Sequence, residues 1–110
     1  MATLDTVLGT VSISGAGTIA TFIRNVTTAG TAVQITTVST PCKKVVLYAR
    51  LGNTNPVVVG DVNVVAASAT QRGIVLVPGN DPFTIEVSDL SLLYVDSQTN
   101  GDGVCGAYFV

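Results

Sequence analysis

The chain has no histidine and no tryptophan, and only 11 % of its residues are charged. Without histidine the Ser-His-Asp and Cys-His arrangements of nucleophilic catalysis are excluded, and so is the commonest metal ligand. Soluble domains carry about 25 % charged residues, so something else must cover the outside here. Thr, Ser, Asn, Gln and Gly can do so, and so can another subunit. The five basic residues, Arg24, Lys43, Lys44, Arg50 and Arg72, are scattered, and the net charge is −2. No basic stripe exists, so direct nucleic-acid binding lacks its electrostatic footprint. No apolar run reaches the length of a membrane-spanning helix, and no membrane partner is expected. The opening Met-Ala-Thr-Leu-Asp lacks the basic region and apolar core of a signal peptide. Two cysteines are too few for a disulfide scaffold. Cys42 and Cys105 could bond if their strands are neighbours, but the missing signal points to a reducing compartment and to two small buried hydrophobes.

What is present is β-branched. Val (19) and Thr (15) make up about a third of the 110 residues. Both are stiff at χ1 and suit a pleated, half-buried surface better than a long helix. Residues 10–24 hold two apolar segments, Thr10–Ser14 and Thr18–Ile23, split by Gly15-Ala16-Gly17, which favours a hairpin or bend over a helix. Val33 and Ile35 alternate with Gln34 and Thr36 until Thr40-Pro41 stops the strand. In 43–51, Val45, Leu47, Ala49 and Leu51 form a core face, and Lys44, Val46, Tyr48 and Arg50 a half-exposed one. A turn at 52–56, a Val57–Val59 strand and an Ala/Ser-rich loop at 62–71 follow. Ile74–Val77 is a strand ended by Pro78–Pro82. Phe83, Ile85 and Val87 then alternate with Thr84, Glu86 and Ser88, so Glu86 points to solvent or a partner. Leu90–Asp96 is apolar on both faces. Asn100-Gly101 is the strongest hairpin signal in the chain.

The last strand, 104–110, puts Val104, Tyr108 and Val110 on one face and Cys105, Ala107 and Phe109 on the other. Such a strand is central in a sandwich or lies against another subunit, which makes Tyr108, Phe109 and Val110 the candidate subunit interface. The pattern is all-β: an antiparallel β-sandwich or barrel, jelly-roll-like, of about eight short strands. An N-terminal arm, 1–26, precedes a β-sandwich domain, 27–110.

Candidate chemistry is sparse. Asp81, Glu86, Asp89 and Asp96 could supply paired carboxylates, but nothing places two across a cleft. Asp96, Gln98 and Asn100, followed by Gly101, match the opening of a calcium loop, yet the acid expected at its twelfth position falls on Ala107; the site is rejected. Lys43-Lys44 beside Cys42 could depress that thiol's pKa, although a charged pair at a strand start explains them as well. Asn25-Val26-Thr27 fits a glycosylation sequon of the kind that arises by chance. No catalytic residue, metal or cofactor is expected, and the chain does not read as an enzyme.

Two segments resemble a recurring module of tailed-bacteriophage virion proteins. One is TTAGTAVQITTVSTPCKKVVLYARLGNTNPVVVGD (27–61), and the other is GIVLVPGNDPFTIEVSDLSLLYVDSQTNGDGVCGAYF (73–109). The likeness runs from Thr27 to the C-terminus. It implies a small β-barrel or jelly-roll domain of a phage particle: a capsid decoration (cement) protein, or a fibre-base protein. Such proteins commonly assemble as trimers. The expected partners are then further copies of itself and the major capsid protein, and the expected location is the capsid surface after synthesis in the host cytoplasm. Receptor or glycan binding by a head or tail fibre is the alternative, with Tyr48 as its best exposed aromatic.

Overall fold

The computed structural model describes residues 17–110. They form eight strands: β1 (Ile19–Asn25), β2 (Val33–Gln34), β3 (Lys44–Ala49), β4 (Val57–Gly60), β5 (Ile74–Leu76), β6 (Phe83–Ile85), β7 (Tyr94–Ser97) and β8 (Gly103–Phe109). Two single-turn 3-10 segments, Ser68–Thr70 and Leu90–Leu92, interrupt the connections. The strands make two four-stranded antiparallel sheets, ordered β1-β8-β3-β6 and β2-β7-β4-β5. This is the strand order of a double-sheet jelly roll with two Greek keys. The all-β sandwich expected from the sequence is what forms.

Only β4 and β5 are consecutive strands of one sheet. Every other connection crosses from one sheet to the other. The Asn100-Gly101 turn is therefore an arch between β7 and β8 and not the hairpin its composition suggests. Its flanks are claimed by distant partners: β8 lies between β1 and β3, and β7 between β2 and β4. The turn itself is anchored on a third segment, since the Gly101 amide donates to the Val26 carbonyl and the Val26 amide to the Asp102 carbonyl.

Period-two alternation decides what is inside. On β3, Val45, Leu47 and Ala49 are buried while Lys44, Val46 and Tyr48 face outward. Val104 of β8 joins them, and Tyr108 packs against the same cluster. The facing sheet supplies Val57, Val59, Val95 and Leu76, and Val26, Ile35, Leu90 and Leu93 complete the cluster. Aliphatic side chains dominate because two β-branched faces interdigitate at about 10 Å spacing without needing large rings. Gly106 sits where β8 crosses β3: a Cβ there would fall on the Val46 carbonyl oxygen and the Leu47 backbone.

Several expectations need correction. The arm does not extend to residue 26. Ile19–Asn25 is β1, paired along its length with Gly103–Phe109, so the sandwich already includes this strand. The proposed Thr10–Ser14 segment and the Gly15-Ala16 bend lie outside the described residues. Leu51 is 75 % exposed and not in the core, because β3 ends at Ala49 and the chain turns. The strand expected across Leu90–Asp96 begins only at Tyr94, since Asp89 caps a 3-10 turn over Leu90–Leu92.

Candidate functional site

The polar residues at the loop ends are fasteners. Asp96 is buried, and its two oxygens accept from the amides of Gly30 (3.0 Å) and Ala66 (2.9 Å). The Gln98 side chain donates to the Ala66 carbonyl at 2.8 Å, and Asn100 Oδ1 accepts from the Ala29 amide at 2.8 Å. The three residues of the rejected calcium loop thus each hold another segment in place. Asp102, also buried, accepts from the Thr54 and Asn55 amides, and the Asn53 side chain exchanges two hydrogen bonds with the Gly103 backbone. The connections 26–32, 50–56 and 98–102 are bound into one end of the sandwich in this way.

The remaining candidates do not converge. Asp89 accepts from the Thr40 and Ser91 amides and from the Ser91 and Ser39 hydroxyls. These bonds, the Thr40 amide foremost, hold its carboxyl well below the usual carboxylate range. Among the described residues no three His, Cys, Asp or Glu side chains come together as a metal site. Cys42 and Cys105 are free thiols. Cys105 faces Tyr48 across the β3–β8 ladder, and Cys42 lies six residues earlier, roughly 20 Å away at ~3.3 Å per residue. A disulfide needs Cα atoms within about 7 Å, so the pairing is not made. Burial, and then the Asp89 carboxylate, push the Cys42 thiol up. The Lys43-Lys44 pair does not activate it, and its Sγ donates to the Val87 carbonyl at 3.3 Å.

The unusual surface is the outer face of the β1-β8-β3-β6 sheet. Register places Ile19, Thr21 and Ile23 of β1 beside Phe109, Ala107 and Cys105 of β8, and these beside Lys44, Val46 and Tyr48 of β3. Ile19 and Ile23 are 58 % and 59 % exposed. Val46, Tyr48, Cys105, Ala107 and Phe109 are half-buried against one another. An open apolar groove of about 420 Å³ runs between Thr21, Val46, Tyr48, Pro82 and Phe109. At one end Lys44 Nζ stands 5.0 Å from the centroid of the Phe109 ring, a cation–π contact. Lys43, Lys44 and Glu86 rim the adjoining hollow, so charge is confined to the border. A contiguous apolar patch with a polar rim is the usual anatomy of a protein–protein contact.

The candidate interface of Tyr108, Phe109 and Val110 is only partly on this surface. Phe109 belongs to it. Tyr108 points the other way, into the core cluster, and Val110 lies beyond the end of β8. Ile19 and Ile23 fall inside the arm expected over 1–26, which hides their place on this face. Their alternation with Ala20 and Phe22 was the available signal.

The family-model comparison finds no match for this chain, and neither the search of curated proteins nor that of solved structures finds one. No helix among the described residues is long and apolar enough to cross a membrane.

Proposed function

We propose that the chain is a non-enzymatic structural protein of a virion, a decoration (cement) subunit that assembles as a trimer on a tailed-phage head. The observation that carries the reading is the apolar face built from Val46, Tyr48, Ala107 and Phe109, which no described residue covers. The resemblance of segments 27–61 and 73–109 to phage virion modules narrows the structural role to a particle. In this reading, copies bury that face against one another around a three-fold axis. The knob sits across neighbouring capsid subunits and adds contacts that oppose outward pressure from packaged DNA. Low surface charge suits it, because interface cores are depleted of charge.

The test uses purified protein and undecorated heads. The wild-type chain is expected to bind in groups of three and to raise the temperature at which heads release DNA. Val46→Asp should bind at least tenfold more weakly, since the substitution puts a charge into the centre of the patch. Equal binding by Val46→Asp, or no binding by the wild type, would sink the reading. A second reading, a glycan- or receptor-binding module, draws on one feature: Tyr48 and Phe109 line an open groove beside Pro82. Glycan-array binding abolished by Tyr48→Ala would favour it.

A further inference from the structure

The four sheet edges are not alike. β2 has two residues, and β5 and β6 have three each, with Pro82 just before β6. β1 runs for seven residues with no proline, lysine or break in register. Natural edge strands are normally blunted by such devices, because an open row of N–H and C=O groups is a template for another strand.

Hydrogen-bond parity shows which groups are open. The Thr18 carbonyl accepts from the Val110 amide, and the Val26 amide donates to the Asp102 carbonyl. Even-numbered positions of β1 therefore face β8, since residues of an antiparallel pair exchange bonds alternately. Ile19, Thr21, Ile23 and Asn25 direct their N–H and C=O groups to the free edge. No hydrogen bond among the described residues reaches these groups. The same four residues carry the outward side chains, so the edge and the apolar face meet along one strand.

We infer that β1 pairs antiparallel, about a two-fold axis, with β1 of a second copy of this chain, joining two sandwiches into one continuous sheet. The strand is self-complementary. An axis at Thr21 sets Ile19 against the partner's Ile23, Thr21 against the partner's Thr21, and Ile23 against the partner's Ile19. Each facing pair exchanges both of its N–H···O=C bonds, and both isoleucines gain an apolar cross-strand neighbour. Charge selects this register over the next one. An axis at Ile23 would bring the two Arg24 side chains to about 7 Å, a diagonal distance, whereas the axis at Thr21 leaves them roughly 20 Å apart. Arg24 is in any case held on the opposite face, its Nε donating to the Gln34 carbonyl at 2.8 Å.

This contact uses the edge, leaves the outer face free, and stands whether or not the virion reading holds. If both hold, a subunit with a three-fold contact through its face and a two-fold contact through its edge can join a net over a closed shell. An edge contact is smaller than the ~800 Å² per partner of a standard interface, so the pairing is concentration-dependent.

The test is light scattering of the full chain over a dilution series, with residue-resolved amide exchange. The mass is expected at an even multiple of 11.2 kDa, halving on dilution and in Thr21→Pro or Ile23→Lys. The proline removes only an outward N–H, and the lysine occupies an exposed position. The Ile19 and Ile23 amides of the paired wild type should exchange about tenfold slower than in the diluted chain. The Ala20, Phe22 and Arg24 amides, bonded to β8, should stay protected throughout and so report an intact fold. A mass of one or three chains overturns the inference. So does an unchanged mass in Ile23→Lys with those three amides protected. Fast exchange at Ile19 and Ile23 at every concentration, or their protection in a monomer, overturns it as well.

Discussion

The two sheets of this sandwich treat their outer faces differently. Outside the β2-β7-β4-β5 sheet, the 61–73 loop folds back over the strands. Val58 is completely buried there beneath Val64 and Ala66, with Ala32 and Tyr94 packed alongside. Asp96 fastens the cover by accepting the Ala66 amide, and Gly73 makes room for it: at φ +124°, a Cβ there would meet Val58 Cγ1 and the Val59 carbonyl. Outside the β1-β8-β3-β6 sheet, an equally apolar row of Val46, Ala107, Phe109 and Tyr48 has, among the described residues, only rim charges around it. Similar residues make a second small core in one place and an open apolar groove in the other. The difference is whether the chain spends a loop on covering them.

The same substitution on the two faces should break that contrast most sharply. Val58→Asp buries a carboxylate with no partner, and a loss of about 4 kcal/mol or more is expected, enough to unfold most of the population. Val46→Asp puts its charge at a half-buried position that opens to solvent and should cost about 1 kcal/mol in denaturant titration. Equal losses would mean that the outer β1-β8-β3-β6 face is also covered.

Removing the fastener is the next largest effect. Asp96→Ala leaves the buried Ala66 amide without its acceptor, while the Gly30 amide keeps the Ser97 carbonyl, and a loss of about 1–3 kcal/mol is expected. Amide exchange should rise first in the 61–73 loop and at Gly30. Uniform exchange through both sheets would show that Asp96 supports the whole fold and not the cover.

A smaller effect is expected from Asp89, which ties Thr40 and Ser91 at another edge of the core. Its folded-state pKa is depressed, so its contribution is complete above the unfolded value near 3.8 and is lost as pH falls through the folded one. Asp89→Asn should flatten the acid limb of the stability curve below about pH 4 and leave its shape near neutrality unchanged. An unchanged acid limb would mean that the bonds to Thr40 and Ser91 add nothing net.

Cysteine labelling changes stability least and reports the contrast directly. Cys105 lies on the uncovered face, and Cys42 packs against the core. A small maleimide should label Cys105 quickly in the free subunit and slowly once the face is occupied, while Cys42 stays slow in both. Rapid Cys105 labelling in an assembled particle would exclude this face from the contact.

Much of this was legible before any fold was known. The inward set Val45, Leu47 and Ala49, and on β8 the split of Val104 and Tyr108 from Cys105, Ala107 and Phe109, follow from alternation alone; Val110 does not follow it, because β8 ends at Phe109. Asp89, Asp96 and Asp102 were not legible as fasteners. Their roles depend on amides at Thr40, Ala66 and Thr54, far away in sequence, that only the packed chain brings near. Asn100-Gly101 misled for a related reason. Turn composition specifies a reversal of the chain, and a reversal serves a hairpin and an arch equally well.

The sequence by itself determined the fold class of the protein: Val- and Thr-rich alternation with frequent turn signals buries itself as an antiparallel sandwich or barrel, and the absence of histidine removes the histidine-dependent catalytic arrangements. Tertiary structure alone decided that β1 belongs to the sandwich, that six of the seven connections cross between sheets, and that among the described residues one apolar face is covered while the other is open. Alternation is a local property of a strand, set by the direction of each Cβ. Which strand lies beside which, and what covers the far side, depends on contacts between residues distant in the chain, and no local pattern records them.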